Sequence, residues 1–343
     1  MKNKNLSFAA SAVLIAGSLI SGNTASAEEL PQTKAHQQFS VTHGFNQNAL
    51  DVLQRAGALD QNEVGASLAE KLRPGSSYQA TKVANKLRLS GSNWSLDVTS
   101  DGSAAEFQDH AAEARAHSLG KPVSEKMSAA ELERKGRAFI ASKLTSQIGL
   151  GKDEQLIALR ADYRTEGGQD MATGQISEAV VANRIVFGRT IHGVPVVGGG
   201  SKVIVTFIND GSLESFRYDW PKYQVTGGQN IVSVSHILQR VQNVIGIRSG
   251  ASGKISMAVP TGEADAYPLA LTPNTELQAM ECGYYDIGSF ATRAIQSIQP
   301  GCTYRAVSHD PNGMRAGLAG AVPAGAQFEQ DANWLESQLL AKQ

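Results

Sequence analysis

Apolar residues recur along the chain at two different spacings, and one of them is typical of amphipathic helices. Four segments have apolar residues every three or four positions, which places those residues on one helical face: 49–59, 63–73, 128–150 and 233–247. In the third segment, Ser128 and Glu131 form a capping box, which indicates where that helix begins. We also expect a closing helix at 333–342.

The other spacing is the alternation of apolar and polar residues that half-buried β-strands show. Trp94, Leu96 and Val98 alternate with polar residues in this way. Further strand-rich segments are 86–107, 156–164, 177–197, 202–220, 254–260, 267–273 and 276–286. Asp-Gly pairs at 101–102 and 210–211 predict tight turns, because both residue types tolerate the backbone angles that turns need.

The order of these elements predicts an α+β fold. A helix followed by several antiparallel strands recurs, and 94–107 and 203–216 share the pattern strand, Asp-Gly-Ser, strand. We therefore expect tandem modules, each a helix packed on a small curved antiparallel sheet. The expected divisions are a signal peptide (1–27), a flexible arm (28–45), an N-terminal α+β module with linker (46–127), a second module (128–224), a third module with a disulfide (225–302), and a Gly/Ala/Pro-rich loop with a C-terminal helix (303–343).

The N-terminal residues have the three parts of an export signal. Two lysines precede the apolar stretch 6–20, and Ala25-Ser26-Ala27 fits the pattern that signal peptidase cleaves, here before Glu28. The alternative is a membrane-spanning helix, but serines and glycines keep the apolar run below the roughly 18–20 residues that a span needs. The sequence therefore predicts a secreted or periplasmic protein.

Composition adds a size, a charge and a cysteine pair to this picture. With 343 residues, 41% of them hydrophobic, the chain can bury a sizeable core. The formal net charge of −1 gives no electrostatic support for a nucleic-acid or anionic-membrane partner. In an exported protein, Cys282 and Cys302 are expected to form a disulfide. A reactive thiol would leave one cysteine unused, and a zinc site would need two further ligands.

Familiar catalytic motifs are missing from the sequence. It contains neither the Gly-x-Ser-x-Gly of α/β-hydrolases nor the His-Glu-x-x-His of zinc peptidases. The glycines at 198–200 lack the lysine of a phosphate-binding loop and precede a strand instead of a helix. We therefore predict no nucleotide cofactor, and no other cofactor.

One segment, 109–117 (DHAAEARAH), is a candidate for metal binding. If it is helical, His110, Glu113 and His117 lie on one face, and imidazole and carboxylate groups are good zinc ligands. The alternative is that this alanine-rich, charged segment is a solvated linker helix.

The segment 189–216 contains three consecutive glycines between two strand-like runs. We interpret it as an antiparallel pair of strands with a distorted connection. Gly193 allows a turn before Pro195, whose ring fixes φ and removes an amide donor. The glycines at 198–200 permit positive φ or a bulge, so that the chain returns at the register that the core requires.

This segment also resembles a known family. Arg189, Gly193, Pro195 and the glycines from Gly198, followed by VIVTFINDGSL, resemble the FTP segment of thermolysin-type metalloprotease propeptides. PepSY modules commonly adjoin such segments, and the helix at 233–247 with the strands after it is similar to one. The resemblance covers about residues 128–285.

In that family the modules act as chaperones and inhibitors of the peptidase that they precede, and they supply no catalytic residue. Here no His-Glu-x-x-His peptidase domain follows. The resemblance therefore implies a stand-alone, non-catalytic protein-binding module whose partner is a secreted peptidase. The implied binding residues are Arg189, Gly193, Pro195, Gly198, Gly199 and Gly200.

An extended segment of the partner would add to the sheet edge of 189–216 through backbone hydrogen bonds. Two alternatives stay open. One is a secreted hydrolase or metal-binding protein whose site is assembled from scattered loop residues. The other is a structural component of an envelope or matrix.

Overall fold

A computed structural model describes residues 28–29, 45, 47–169, 176–241, 275–289, 297–309 and 315–328. Several predicted features lie outside these residues. They are the export signal, the strand segments 254–260 and 267–273, the end of the helix at 233–247 and the closing helix at 333–342.

The described residues form four α-helices and sixteen strands. The helices are α1 (Gln61–Leu72), α2 (His110–Ala116), α3 (Ala129–Phe139), which a π-helical turn (Ile140–Leu144) continues, and α4 (234–241). The strands are β1 (Glu28–Glu29), β2 (Ala49–Ala56), β3 (Gln79–Val83), β4 (Lys86–Ser90), β5 (Trp94–Thr99), β6 (Ala104–Asp109), β7 (Lys121–Pro122), β8 (Glu154–Gln169), β9 (Ile176–Ile191), β10 (Val194–Val197), β11 (Lys202–Ile208), β12 (Leu213–Asp219), β13 (Lys222–Asn230), β14 (Thr275–Tyr285), β15 (Ser297–His309) and β16 (Arg315–Pro323).

These strands belong to one large mixed sheet, so the expected tandem modules of a helix on a small sheet are wrong. Its main path runs β13-β2-β15-β14-β10-β9-β11-β12-β6-β5-β4-β3. β10 and β14 pair in parallel, whereas the other strand pairs of the described residues are antiparallel. Strands from all three expected modules are neighbours in this sheet.

The first predicted helix, 49–59, is instead the strand β2. It pairs with β13 on one side and with β15 on the other, which joins the N-terminal part of the chain to its C-terminal part. Leu50 and Leu53 are its buried apolar residues. Their separation of three residues imitates helical periodicity, and this explains the wrong prediction.

The two similar Asp-Gly-Ser segments are hairpins of the same sheet and not the cores of separate modules. The first joins β5 to β6, the second joins β11 to β12, and β6 pairs with β12. Phe107 lies opposite Phe216 in this pairing, and their stacked rings have centroids 5.7 Å apart. The predicted turns are confirmed, with φ of +65° at Gly102 and +87° at Gly211.

Helices α1 and α3 cover one face of this half of the sheet. Leu68 of α1 and Leu132 of α3 are fully buried in the same cluster as the aromatic row of β5, β6 and β12. The side chain of Ser128 accepts a hydrogen bond from the Glu131 amide, so the predicted start of α3 is confirmed. Burial of this apolar face stabilises the helices far more than their intrinsic propensity does.

At the other end of the sheet, Cys282 of β14 lies opposite Cys302 of β15, and the predicted disulfide is present. Both cysteines are fully buried against α4. The predicted irregular loop at 303–326 is wrong, because β15 and β16 form there. Among the described residues, no helix is long and apolar enough to cross a membrane.

Candidate functional site

The connection between β9 and β10 is a tight two-residue turn. His192 and Gly193 have φ of +51° and +77°, the backbone conformation of a turn that matches the twist of two adjacent strands. Val194 and Pro195 then pair with the end of β9. Gly193 therefore performs the turning role that the sequence predicts for it.

The glycines at 198–200 connect β10 to β11, and the expected positive φ is present at Gly198, but the expected antiparallel pairing of the two strands is wrong. β10 and β11 do not pair with each other, because both pair with β9 at different positions along it. Between them the chain leaves β9, pairs Val196 and Val197 with the end of β14, and returns. Both edges of β11 are occupied, by β9 and β12. The expected sheet edge at 189–216 is thus already paired within the chain.

Close backbone contact explains why this return consists of glycines. A Cβ on Gly198, where φ is +91°, would lie 2.4 Å from the Asp286 carbonyl oxygen. One on Gly199 would lie 2.8 Å from the Ile287 carbonyl oxygen. One on Gly200 would lie 2.2 Å from the Asp286 carboxylate. Real Cβ atoms do not approach other atoms so closely. Residues 286–287 can therefore pack against residues 198–200 only because these three residues are glycines.

The carboxylate of Asp286 is fully buried and is held by three donors. It accepts hydrogen bonds from Arg55 Nη2 at 2.7 Å, from the Tyr223 hydroxyl at 2.5 Å and from the Gly288 amide at 2.9 Å. The Tyr223 hydroxyl also lies 3.1 Å from Ser201 Oγ. A buried carboxylate is tolerated where such charge-assisted hydrogen bonds replace its hydration.

A second buried carboxylate, that of Asp219, lies in the same polar cluster. The amide and the hydroxyl of Ser289 both donate to it, the hydroxyl at 2.9 Å. Arg55 Nη1 donates to Ser289 Oγ, which is 3.0 Å from Ser103 Oγ. We call the set Arg55, Ser103, Asp219, Tyr223, Asp286 and Ser289 the Arg55 cluster.

The electrostatics of the Arg55 cluster follow from burial and from the two carboxylates. Burial, and next the nearby charge of Asp286, raise the pKa of Asp219 to about 6. Burial acts to lower the pKa of Arg55, but the charges of Asp286, Tyr223 and Asp219, together with the hydrogen bond to Asp286, raise it. Burial also raises the pKa of Tyr223, so its hydroxyl remains a hydrogen-bond donor at neutral pH.

Arg189, one of the predicted binding residues, is buried, with 2% of its surface exposed. Its guanidinium lies between the rings of Trp220 and Tyr223, 5.0 and 4.9 Å from their centroids. It donates to the Pro221 carbonyl at 2.6 Å and forms an ion pair with Glu154. These contacts are cation–π and ionic contacts within the chain, and they give Arg189 a structural role beside the Arg55 cluster.

The predicted metal candidates are only partly brought together. His110 Nδ1 lies 3.7 Å from Glu113 Oε2 at the start of α2, but His117 pairs with Glu166 of β8 at 2.6 Å. All four side chains are substantially exposed. In the part of the chain that the structure describes, no group of three or more His, Cys, Asp or Glu side chains is placed to hold a metal ion.

A different part of the molecule, the strand β3, presents an open edge. Among the described residues β3 pairs only with β4, and all five of its residues are exposed. A two-residue turn closes the hairpin between Val83 and Lys86, with φ of +52° at Ala84. Along an antiparallel hairpin, residue pairs that are hydrogen-bonded to each other alternate with pairs that are not. Counted from Val83, the backbone N–H and C=O groups of Ala80 and Lys82 therefore do not bond to β4 and point towards the open edge of β3.

Sequence reasoning missed both the Arg55 cluster and the β3 edge. Arg55 was placed in a predicted helix, and Asp219, Tyr223 and Asp286 stand in separate strands with no shared spacing. The glycines at 198–200 were the available signal for a close contact, but they do not name the partner. For β3, the β-branched Thr81 and Val83 before an asparagine-containing turn were the signal.

Comparison with known proteins assigns no family. No family model matches the chain, and no curated protein matches it. The chain is similar in structure to an uncharacterized protein from Eubacterium rectale ATCC 33656, with 11% sequence identity and a TM-score of 0.45 over 82% of this chain and 85% of that one. The FTP and PepSY resemblance therefore stays a prediction.

Proposed function

We propose that the protein is an exported, non-catalytic protein that binds an extended segment of another exported protein along β3. The observation that carries this proposal is the open edge of β3. Its outward amides and carbonyls are the groups through which an added strand forms backbone hydrogen bonds. This replaces the edge at 189–216, whose strands are paired within the chain.

The strand at the other end of the main path supports the choice of β3 by contrast. β13 carries a register shift between Val225 and Gly227, and two adjacent glycines follow. Such bulges protect edges against strand addition. β3 has a regular register with β4 and contains no proline. Tyr78, just before β3, and Val83, its last residue, are 40% and 45% exposed. Val225 of β13 is 54% exposed, so the bulge and not exposed apolar surface distinguishes the two edges.

Charge favours a foreign segment over a second copy of the chain. When an antiparallel strand is added at an edge, the residues of the two strands whose backbone groups point towards each other lie directly opposite one another. Two copies of β3 would therefore place both Lys82 side chains on one face of the new ribbon, where like charges oppose pairing. A partner segment with an acidic residue opposite Lys82 avoids this repulsion. A secreted peptidase is the partner class that the FTP resemblance suggests.

The hydrolase alternative would rely on the Arg55 cluster, which is assembled from scattered residues. Its carboxylates are buried, and the protein's own side chains and amides occupy their acceptor positions. A general acid or base needs access to a substrate proton. The arrangement therefore supports a structural role for these carboxylates.

The disulfide is consistent with an extracytoplasmic protein, since such bonds persist in oxidising compartments. Export with cleavage before Glu28 is part of the proposal. Intact-mass measurement of the exported protein should give an N-terminus at Glu28, whereas a retained Met1 would contradict it.

The binding proposal is tested by removing one outward amide from β3. Ala80→Pro removes the amide hydrogen without breaking the pairing with β4, because that amide does not bond to β4. Ala80→Val keeps the amide and is the matched control. Photo-cross-linking from Val83 in the exported fraction of producing cells identifies the partner by mass, and titration of the purified partner then compares the variants.

We expect partner affinity to fall at least tenfold in Ala80→Pro and to remain within about twofold in Ala80→Val, since each lost hydrogen bond costs about 1 kcal/mol and the ring also blocks the edge. Equal affinity of both variants would contradict strand addition at β3. An adduct with the mass of two copies of this chain would show self-association instead of partner binding.

A further inference from the structure

The Arg55 cluster joins parts of the sheet that are distant along the chain. Arg55 comes from β2 and Tyr223 from β13, whereas Asp219 ends β12 on the half of the sheet that α1 and α3 cover. Asp286 and Ser289 follow β14 at the disulfide end. Within the cluster, Ser289 contacts both Asp219 and Arg55. The cluster is thus a direct polar contact between the two halves of the sheet.

Two carboxylates share one guanidinium in this contact. Arg55 forms its ion pair with Asp286 and reaches Asp219 only through Ser289. When both aspartates are charged, Asp219 therefore has no direct cationic partner in the cluster. Burial makes this uncompensated charge costly.

Other titratable groups face the cluster from neighbouring elements. Lys202 of β11 donates to the carbonyls of Val196 and Gly200 at 2.7 and 3.1 Å, and burial lowers its pKa to about 8. Asp101 accepts hydrogen bonds from Thr99 and Ser103. Burial acts to raise its pKa, but these hydrogen bonds and the charge of Arg55 together lower it. Tyr218, whose pKa burial raises, stays neutral.

We propose that the Arg55 cluster is a pH-sensitive latch that holds Asp219 against residues 286–289 more firmly when Asp219 carries a proton. The proton has a defined place in this geometry. A protonated Asp219 can donate to Ser289 Oγ at 2.9 Å, and the Ser289 hydroxyl can then turn to Ser103 Oγ at 3.0 Å. Loss of the proton at neutral pH leaves two buried carboxylates on one guanidinium and weakens the contact.

The direction of the pH dependence follows from the two states of Asp219. Its pKa is about 6 in the folded chain, against 3.8 for an exposed aspartate. A raised pKa means that the folded chain binds the proton more tightly, so protonation stabilises folding. This stabilisation is complete below about pH 3.8 and is lost as the pH rises through about 6.

The test compares thermal unfolding of the wild type with that of Asp219→Asn between pH 4 and 7.5. Asparagine keeps the shape and cannot titrate. We expect the unfolding midpoint of the variant, relative to wild type, to rise by several degrees between pH 4 and 6.5 and then to level. Asp97→Asn, at the exposed ion pair with Arg88, is the matched control and should show no such rise. A difference that does not change with pH, or that grows towards acid, would overturn the proposal.

A second measurement needs no variant. Hydrogen exchange of wild-type protein, corrected for the intrinsic pH dependence, should show several-fold weaker protection of the Gly288 and Ser289 amides at pH 7 than at pH 5. These amides donate to Asp286 and Asp219. Equal protection of these amides at both pH values would contradict the proposal, whatever the result for the Asp219→Asn variant.

Discussion

The glycine segment 198–200 and the strand β3 are opposite in what the sequence suggests and in what the structure does with them. The glycine segment looks open and irregular in sequence, yet the chain closes on itself there, against Asp286 and Ile287. β3 shows only an ordinary strand-and-turn pattern in sequence, yet it is exposed along its length and unpaired on one side within the described residues. A run of glycines can mark a place where two backbone segments pack closely as readily as it marks an exposed loop. Whether a strand has an open edge depends on which strands of the sheet pair with each other.

The largest expected effect on stability comes from a substitution in the glycine segment, where the chain closes on itself. Gly200→Ala places a Cβ on the Asp286 carboxylate, which Arg55, Tyr223 and the Gly288 amide hold in place. We expect the free energy of unfolding to fall by about 3 kcal/mol, the sum of overpacking and a disturbed buried ion pair. Urea denaturation followed by circular dichroism measures it.

Gly227→Ala is the matched control for this substitution. A Cβ at Gly227 would meet no atom within 4 Å, and the residue lies on the open strand β13. Its effect should stay below about 1 kcal/mol. If Gly200→Ala behaved like this control, the segment 198–200 would not be in close contact with Asp286.

The next effect concerns the disulfide that fastens the strand leading to Asp286. The disulfide closes a sequence separation of 20 residues, for which the chain-entropy model gives about 3 kcal/mol. Changing both cysteines to alanine should lower the free energy of unfolding by about that amount. Denaturation curves with and without reductant measure it. Identical curves for the oxidised wild type and the double variant would show that the disulfide does not stabilise the fold.

The sequence predicted local elements better than it predicted their partners. The alternation around Trp94, the cap at Ser128 and the Asp-Gly turns were sufficient, because neighbouring residues determine these features. The modules failed because strands far apart in sequence, such as β2 and β15, pair with each other. No local pattern specifies that choice.

The C-terminal region shows a second limit of sequence reasoning. Its glycines and alanines suggested a loop, but small residues are what the neighbouring strand requires. Tyr304 of β15 lies opposite Gly320 of β16, and a Cβ there would lie 2.5 Å from the Tyr304 hydroxyl oxygen. A tyrosine ring covering a glycine on the next strand is a long-range pairing. The same holds for the Arg55 cluster, whose members share no spacing.

The smallest expected effect on stability comes from a substitution in the turn that follows β3. Ala84 has φ of +52°, a conformation that glycine adopts without strain. Ala84→Gly should therefore raise the free energy of unfolding by about 0.5–1 kcal/mol and leave partner affinity unchanged, because the substitution touches the turn and not the outward amides. Lower stability would show that Ala84 is unstrained.

The measurement that tests the central claim most directly compares photo-cross-linking from the two regions in one preparation. The photoreactive residue is placed either at Val83, on β3, or at His192, which is exposed in the turn between β9 and β10 within the segment 189–216. The account predicts a partner adduct from Val83 and only background from His192. An adduct from His192 with none from Val83 would contradict it and return the binding surface to the segment 189–216.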